Sequence, residues 1–143
     1  METARLIVCE RTGRWALALR RCMTHPGTEF CETRSLPEAR MRLQESPESL
    51  LLMECSTRNW QDRCQWLLRQ TIDFPQLRTI ALADPALRAA ECVVRTAGAH
   101  QVVFSLMELL DMSCWISRHF EQIPHREQGV REWIWHRIPW SRR

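Results

Sequence analysis

A chain of 143 residues, 45% apolar and 26% charged, has the size and composition of one ordinary globular domain, which excludes a disordered or fibrous polypeptide. All 20 basic residues are arginine, and lysine and tyrosine do not occur. The formal net charge of +3 sits at the C-terminal end: residues 1–117 hold 14 Arg against 14 acidic residues, and residues 118–143 hold 6 against 3. The balanced body lacks the clustered basic face that general nucleic-acid binding requires.

The N-terminal stretch METARLIVCERTGRW has only three consecutive strongly apolar residues, Leu6 to Val8. It reads as neither a signal peptide nor a membrane span, so a cytoplasmic protein is expected. Seven cysteines, at 9, 22, 31, 55, 64, 92 and 114, form no CxxC and no regular ladder. They are expected to be buried thiols rather than a disulfide framework or a zinc site.

In chain order, Arg5–Cys9 (RLIVC) is a short apolar run that predicts a strand. Trp15, Leu19 and Cys22 follow on one helical face. Thr28–Thr33 (TEFCET) alternates like an edge strand, and Ser35-Leu-Pro-Glu38 is a capping-box pattern opening a helix with Leu36, Ala39 and Leu43 inward. Leu50–Met53 is a third, fully buried strand running into Glu54 and Cys55. Trp60, Cys64, Leu67 and Leu68 stripe the next helix.

Thr79–Ala83 (TIALA) predicts a fourth strand, and Asp84-Pro85 an N-cap followed by proline at the first helical position. Leu87, Ala90 and Val94 face inward on that helix, and Gly98 ends it. Gln101–Phe104 is the fifth strand, and Ser105-Leu-Met-Glu108 caps a helix running towards Phe120. Five strand–helix units with buried strands predict an α/β domain, a parallel sheet covered by helices on both faces. The histidines at 25, 100, 119, 125 and 136 show no ligand spacing and are expected at the surface or rim.

This layout resembles the response-regulator receiver domain over about residues 4–120. The most specific stretch is RTAGAHQVVF, Arg95 to Phe104, which looks like that family's Ala-Gly-Ala turn into its last strand. The resemblance implies a flavodoxin-like (βα)5 fold with sheet order 2-1-3-4-5 over residues 1–120, followed by a Trp/Arg-rich tail over 121–143. Receivers transfer a phosphoryl group to an aspartate after strand three. Acidic residues after strand one help hold Mg²⁺, and a hydroxyl residue after strand four and a lysine after strand five grip the phosphoryl oxygens.

Carried onto this chain, Glu54 falls at the phospho-acceptor position, and Cys9 and Glu10 where the acidic pair would stand. Ala83 replaces the hydroxyl residue, Ser105 the lysine, and Leu106 the proline after it. The resemblance therefore implies a degenerate receiver that is not an enzyme and needs no cofactor. It would be a signalling or scaffolding module binding a protein partner, or a second copy of itself, through the surface around strand four, helix four and strand five. The alternative is a receiver still accepting a phosphoryl group on Glu54 or Asp84 with Mg²⁺ and Glu10. A cation site from Glu10 and Glu54, a permanent carboxylate at Glu54 imitating a phosphoryl charge, and a Cys9–Cys55 redox pair are further readings of the same edge. A flavin or nucleotide enzyme finds no support, because Gly13, Gly27, Gly98 and Gly129 are isolated.

The tail carries Trp133, Trp135 and Trp140, with Arg137 on a shared helical face with Val130, Trp133 and Ile134. Tryptophan and arginine anchor interfaces more often than other residues. Packing on its own domain, docking on a partner protein and, less favoured, lying on an anionic membrane surface are the three expectations for it.

Overall fold

The computed structural model describes residues 4–23 and 28–122. The tail, with Trp133, Trp135, Arg137 and Trp140, lies outside the described residues, as do His25, His125 and His136.

Strands β1 (Arg5–Cys9), β2 (Glu29–Thr33), β3 (Leu50–Cys55), β4 (Arg78–Ala83) and β5 (Gln101–Val103) form one parallel sheet in the order β2-β1-β3-β4-β5. Register follows from the apolar runs: Leu6 to Cys9 pair with Leu50 to Met53, and Leu50 to Cys55 with Arg78 to Ala83. Side chains alternate faces along each strand. On one face Ile7, Leu51, Met53 and Ala81 pack with residues of α2 (Leu36–Glu45), α3 (Trp60–Asp73) and α4 (Glu91–Thr96). On the other, Leu6, Val8, Leu52, Ile80 and Leu82 pack with α1 (Arg14–Cys22), α5 (Leu106–Asp111) and α6 (Ser113–Gln122).

Both predicted capping boxes form, and both close one residue earlier than the simple box. Ser35 Oγ accepts from the Glu38 amide while Glu38 accepts from the Arg34 amide at 3.0 Å. Ser105 Oγ accepts from the Glu108 amide while Glu108 accepts from the Phe104 amide at 2.6 Å. Gly98 has φ 126 just past α4, and a Cβ there would meet Thr71 Cγ2 at 2.6 Å, so glycine is required by both conformation and space.

Other expectations are corrected. The segment after Asp84 starts as a 3₁₀ turn over Pro85–Ala90 before α4 begins, and the last helix is broken at Met112 into α5 and α6. Leu68 is 48% exposed, because the inward stripe of α3 follows Cys64 and Leu67 and places the next residue past the core. Cys22, at the end of α1, is exposed rather than inward. Of the seven thiols, Cys9, Cys55 and Cys64 are buried, Cys31 is half-buried, and Cys22, Cys92 and Cys114 are exposed; all are free.

His119 is also corrected: α6 turns it inward, and it is 5% exposed, edge-on to Phe120. Its Nε2 lies 3.3 Å from the Glu48 carbonyl oxygen. Burial lowers its pKa from the ordinary 6.5, opposed by that hydrogen bond. In the unfolded chain the ring titrates near its ordinary value, so below that pH the unfolded state binds more protons than the folded one. Stability should therefore be full above about pH 6.5 and fall as pH drops through the lower folded value. Urea midpoints measured across this window should show the decline, and His119→Gln should flatten it.

Candidate functional site

The C-terminal ends of β1, β3 and β4 bring the sequence-predicted residues to one edge. Cys9 is in register with Met53, and Cys55 with Ala83, so Glu10, Glu54 and Ala83 lie at the same end of three adjacent strands. The pairing continues past the strands: the Asp84 amide donates to the Cys55 carbonyl at 3.1 Å, and the Glu10 amide to the Thr33 carbonyl at 3.2 Å. Ser105 follows β5 at the same end of the sheet.

Glu10 is 1% exposed, and both its oxygens are engaged. Oε2 accepts from the Trp15 amide at 3.0 Å and Oε1 from the Ala16 amide at 2.7 Å. The N-cap of α1 is Gly13, which has φ 83 and no side chain to cap the first turn. The Glu10 carboxylate takes that role from outside the helix, satisfying two amides that the helix cannot and meeting the positive end of its dipole. Arg34 Nη1 also donates to the Glu10 carbonyl at 3.2 Å.

Glu54 is half-buried within β3, which runs one residue past it; its Oε1 accepts from the Arg11 amide at 3.4 Å. Cys9 is fully buried, and its sulfur lies 3.4 Å from Arg63 Nη1, which reaches across from α3. Sequence reasoning did not single out Arg63. Its position one residue before the inward Cys64 was the available signal. Cys55 is buried nearby, and burial, followed by the neighbouring Cys64, pushes its thiol up to about 12. Such a thiol is inert at neutral pH, which removes the basis for a reactive Cys9–Cys55 pair.

Ala83 is 2% exposed and contributes only a methyl group to the core. The Ser105 hydroxyl caps α5, and Asp84 accepts from the Ala86 amide at 2.9 Å. A divalent cation such as Mg²⁺ takes oxygen ligands. Here one carboxylate caps a helix, the other position is a thiol beside a guanidinium, and only Glu54 remains, so the donor set does not fit that ion. Among the described residues no group of three His, Cys, Asp or Glu side chains converges as a metal site.

No family model matches the sequence, and no curated protein matches it. Among solved structures, the crystal structure of a CheY-like protein, TadZ, from Pseudomonas aeruginosa PAO1 matches with a TM-score of 0.67. The two share 14% sequence identity, and the match covers 85% of this chain and 96% of that one. The chain has a CheY-like receiver fold. The receiver-like sheet order expected from the sequence is the one observed. Among the described residues no helix is long and apolar enough to cross a membrane.

The Glu10 carboxylate is the anchor of α1 at this edge. Glu10→Ala leaves two buried amides without an acceptor and should destabilise the fold by about 1–3 kcal/mol. Urea denaturation at neutral pH measures the loss.

Proposed function

We propose that this protein is a non-catalytic pseudo-receiver, a signalling or scaffolding module that acts by protein association and is not phosphorylated. The observation that carries the reading is the double hydrogen bond from the α1 amides to Glu10, which commits the one carboxylate remaining from the acidic pair. The groups that would grip a phosphoryl are replaced as well: a core methyl at Ala83, a capping hydroxyl at Ser105, and no lysine anywhere in the chain. Stabilising charge developing on a transferring phosphoryl needs cations and donors aimed at it.

Association is the remaining route for a signal. Two observations support the face around β5: Val93 on α4 and Met107 on α5, the helices on either side of that edge strand, are 52% and 69% exposed. Arg88 lies 4.5 Å above the Phe104 ring and pairs with Glu108, tying the turn after β4 to the start of α5. The tail, with Trp133, Trp135, Arg137 and Trp140, is the second association element in this reading, docking on a protein partner or on a second copy of the chain.

Two experiments test it. Incubation with Mg²⁺ and a small-molecule phosphodonor, followed by intact mass measurement, should show no added phosphate. A stoichiometric gain of one phosphate would instead favour an atypical receiver phosphorylated on Glu54 or Asp84. Deleting residues 129–143 should keep the cooperative thermal transition of the core and abolish association, read by sedimentation or by partner binding. Loss of the transition would make the tail part of the core.

A further inference from the structure

At the opposite end of the sheet from Glu54, the approaches to β3, β4 and β5 and the end of α6 surround a hollow of about 350 Å³. Its wall includes Arg78, His100, His119, Gln76, Gln122 and Glu48. Arg78 opens β4 and is half-buried. Among the described residues its guanidinium has no hydrogen-bond acceptor and no carboxylate partner, whereas the other half-buried arginines are engaged: Arg5, Arg40 and Arg42 are ion-paired, and Arg63 donates towards the Cys9 sulfur. A partly desolvated charge without a partner is unfavourable unless a ligand or solvent supplies the missing acceptors.

The histidines turn this into a defined site. His100 Nδ1 accepts from the Thr79 amide at 3.2 Å. The neutral ring therefore carries its proton on Nε2, leaving a donor whose orientation is fixed by the strand. His119 is held against the wall by its hydrogen bond to the Glu48 carbonyl. Partial burial and, after it, the Arg78 charge lower the pKa of both rings. Glu48 is the acidic member of the wall and forms no ion pair with Arg78. A guanidinium presents two parallel donors that match the oxygens of a carboxylate or phosphate, and such charge-assisted pairs are about twice as strong as neutral ones.

We propose that this hollow binds a small oxyanion, a phosphate or a carboxylate, seated on the Arg78 guanidinium with His100 as the second donor. The site lies at the end of the sheet away from Glu54 and is independent of the pseudo-receiver reading.

The test follows the side-chain signals of the histidines by NMR in the full chain near neutral pH, at constant ionic strength set with chloride. One arm adds inorganic phosphate and the other acetate, so that the arm that saturates identifies the class of oxyanion. The expected result is a saturable shift of the His100 and His119 signals in at least one arm, weakened about tenfold or more in Arg78→Gln. Arg78→Lys should retain part of the affinity, and Glu48→Gln, which removes the opposing charge, should tighten binding. Absence of a saturable shift in both arms overturns the proposal, as does equal binding by a folded Arg78→Gln variant. If Arg78→Gln does not fold, Glu48→Gln decides: unchanged or weaker binding there also overturns it.

Discussion

Strand β3 has no free side. β1 and β4 are hydrogen-bonded to its two edges, and its faces are covered by α2, α3 and α4 on one side and by α1, α5 and α6 on the other. Leu50, Leu51, Leu52 and Met53 are each fully buried in consequence. A slip of one residue would exchange the two faces of the strand, setting Leu51 and Met53 among the partners of Leu50 and Leu52 and moving every pair with β1 and β4. This fixed register determines where Glu54 emerges, opposite Leu82 and within reach of the Arg11 amide. The geometry of the candidate site is thus a consequence of how the central strand is enclosed.

The same register explains the division of labour between the two carboxylates at that edge. Glu10 leaves β1 directly beneath the start of α1, where Gly13 provides a left-handed turn and no capping side chain. Exposed amides at a helix start need an acceptor, and a buried carboxylate needs donors. Each satisfies the other, at 2.7 and 3.0 Å. Glu54, one strand away, makes a single longer bond and remains half-buried. Arg63 sits on the opposite flank, bringing a positive charge against the Cys9 sulfur where the resemblance would place a metal-binding acid.

Much of the fold was legible because its signals are local and repeated. Unbroken apolar runs at Leu6–Val8, Leu50–Met53 and Ile80–Ala83 mark strands buried on both faces, and Ser35 and Ser105 mark helix starts by chemistry confined to four residues. Legibility declined where tertiary packing decides. Nothing local distinguishes Leu68, which faces outward, from Leu67, which is buried, and nothing distinguishes the inward His119 from the rim residue His100. The break at Met112 was likewise invisible, since Leu109 and Ile116 both point to the core on either side of it. At the candidate site, the positions of Glu10 and Glu54 could be read from strand order. The capping role of Glu10 could not, because it depends on how the chain turns between Glu10 and Arg14, and the Arg63–Cys9 contact spans 54 residues.

The two ends of the sheet differ in how far their polar groups are already satisfied. At the C-terminal edge Glu10, Asp84 and Ser105 all accept from the first amides of the following turn or helix. Groups engaged in this way hold the fold together, and recruiting them for a ligand would expose helix starts that have no other partner. At the N-terminal edge the helices end rather than begin, so Arg78 and the His100 Nε2–H are not drawn into capping. In an α/β sheet the strand ends where helices start are the usual place for a ligand. In this chain the same local chemistry engages Glu10, Asp84 and Ser105 at that edge and leaves the Arg78 guanidinium outside any capping role at the opposite one.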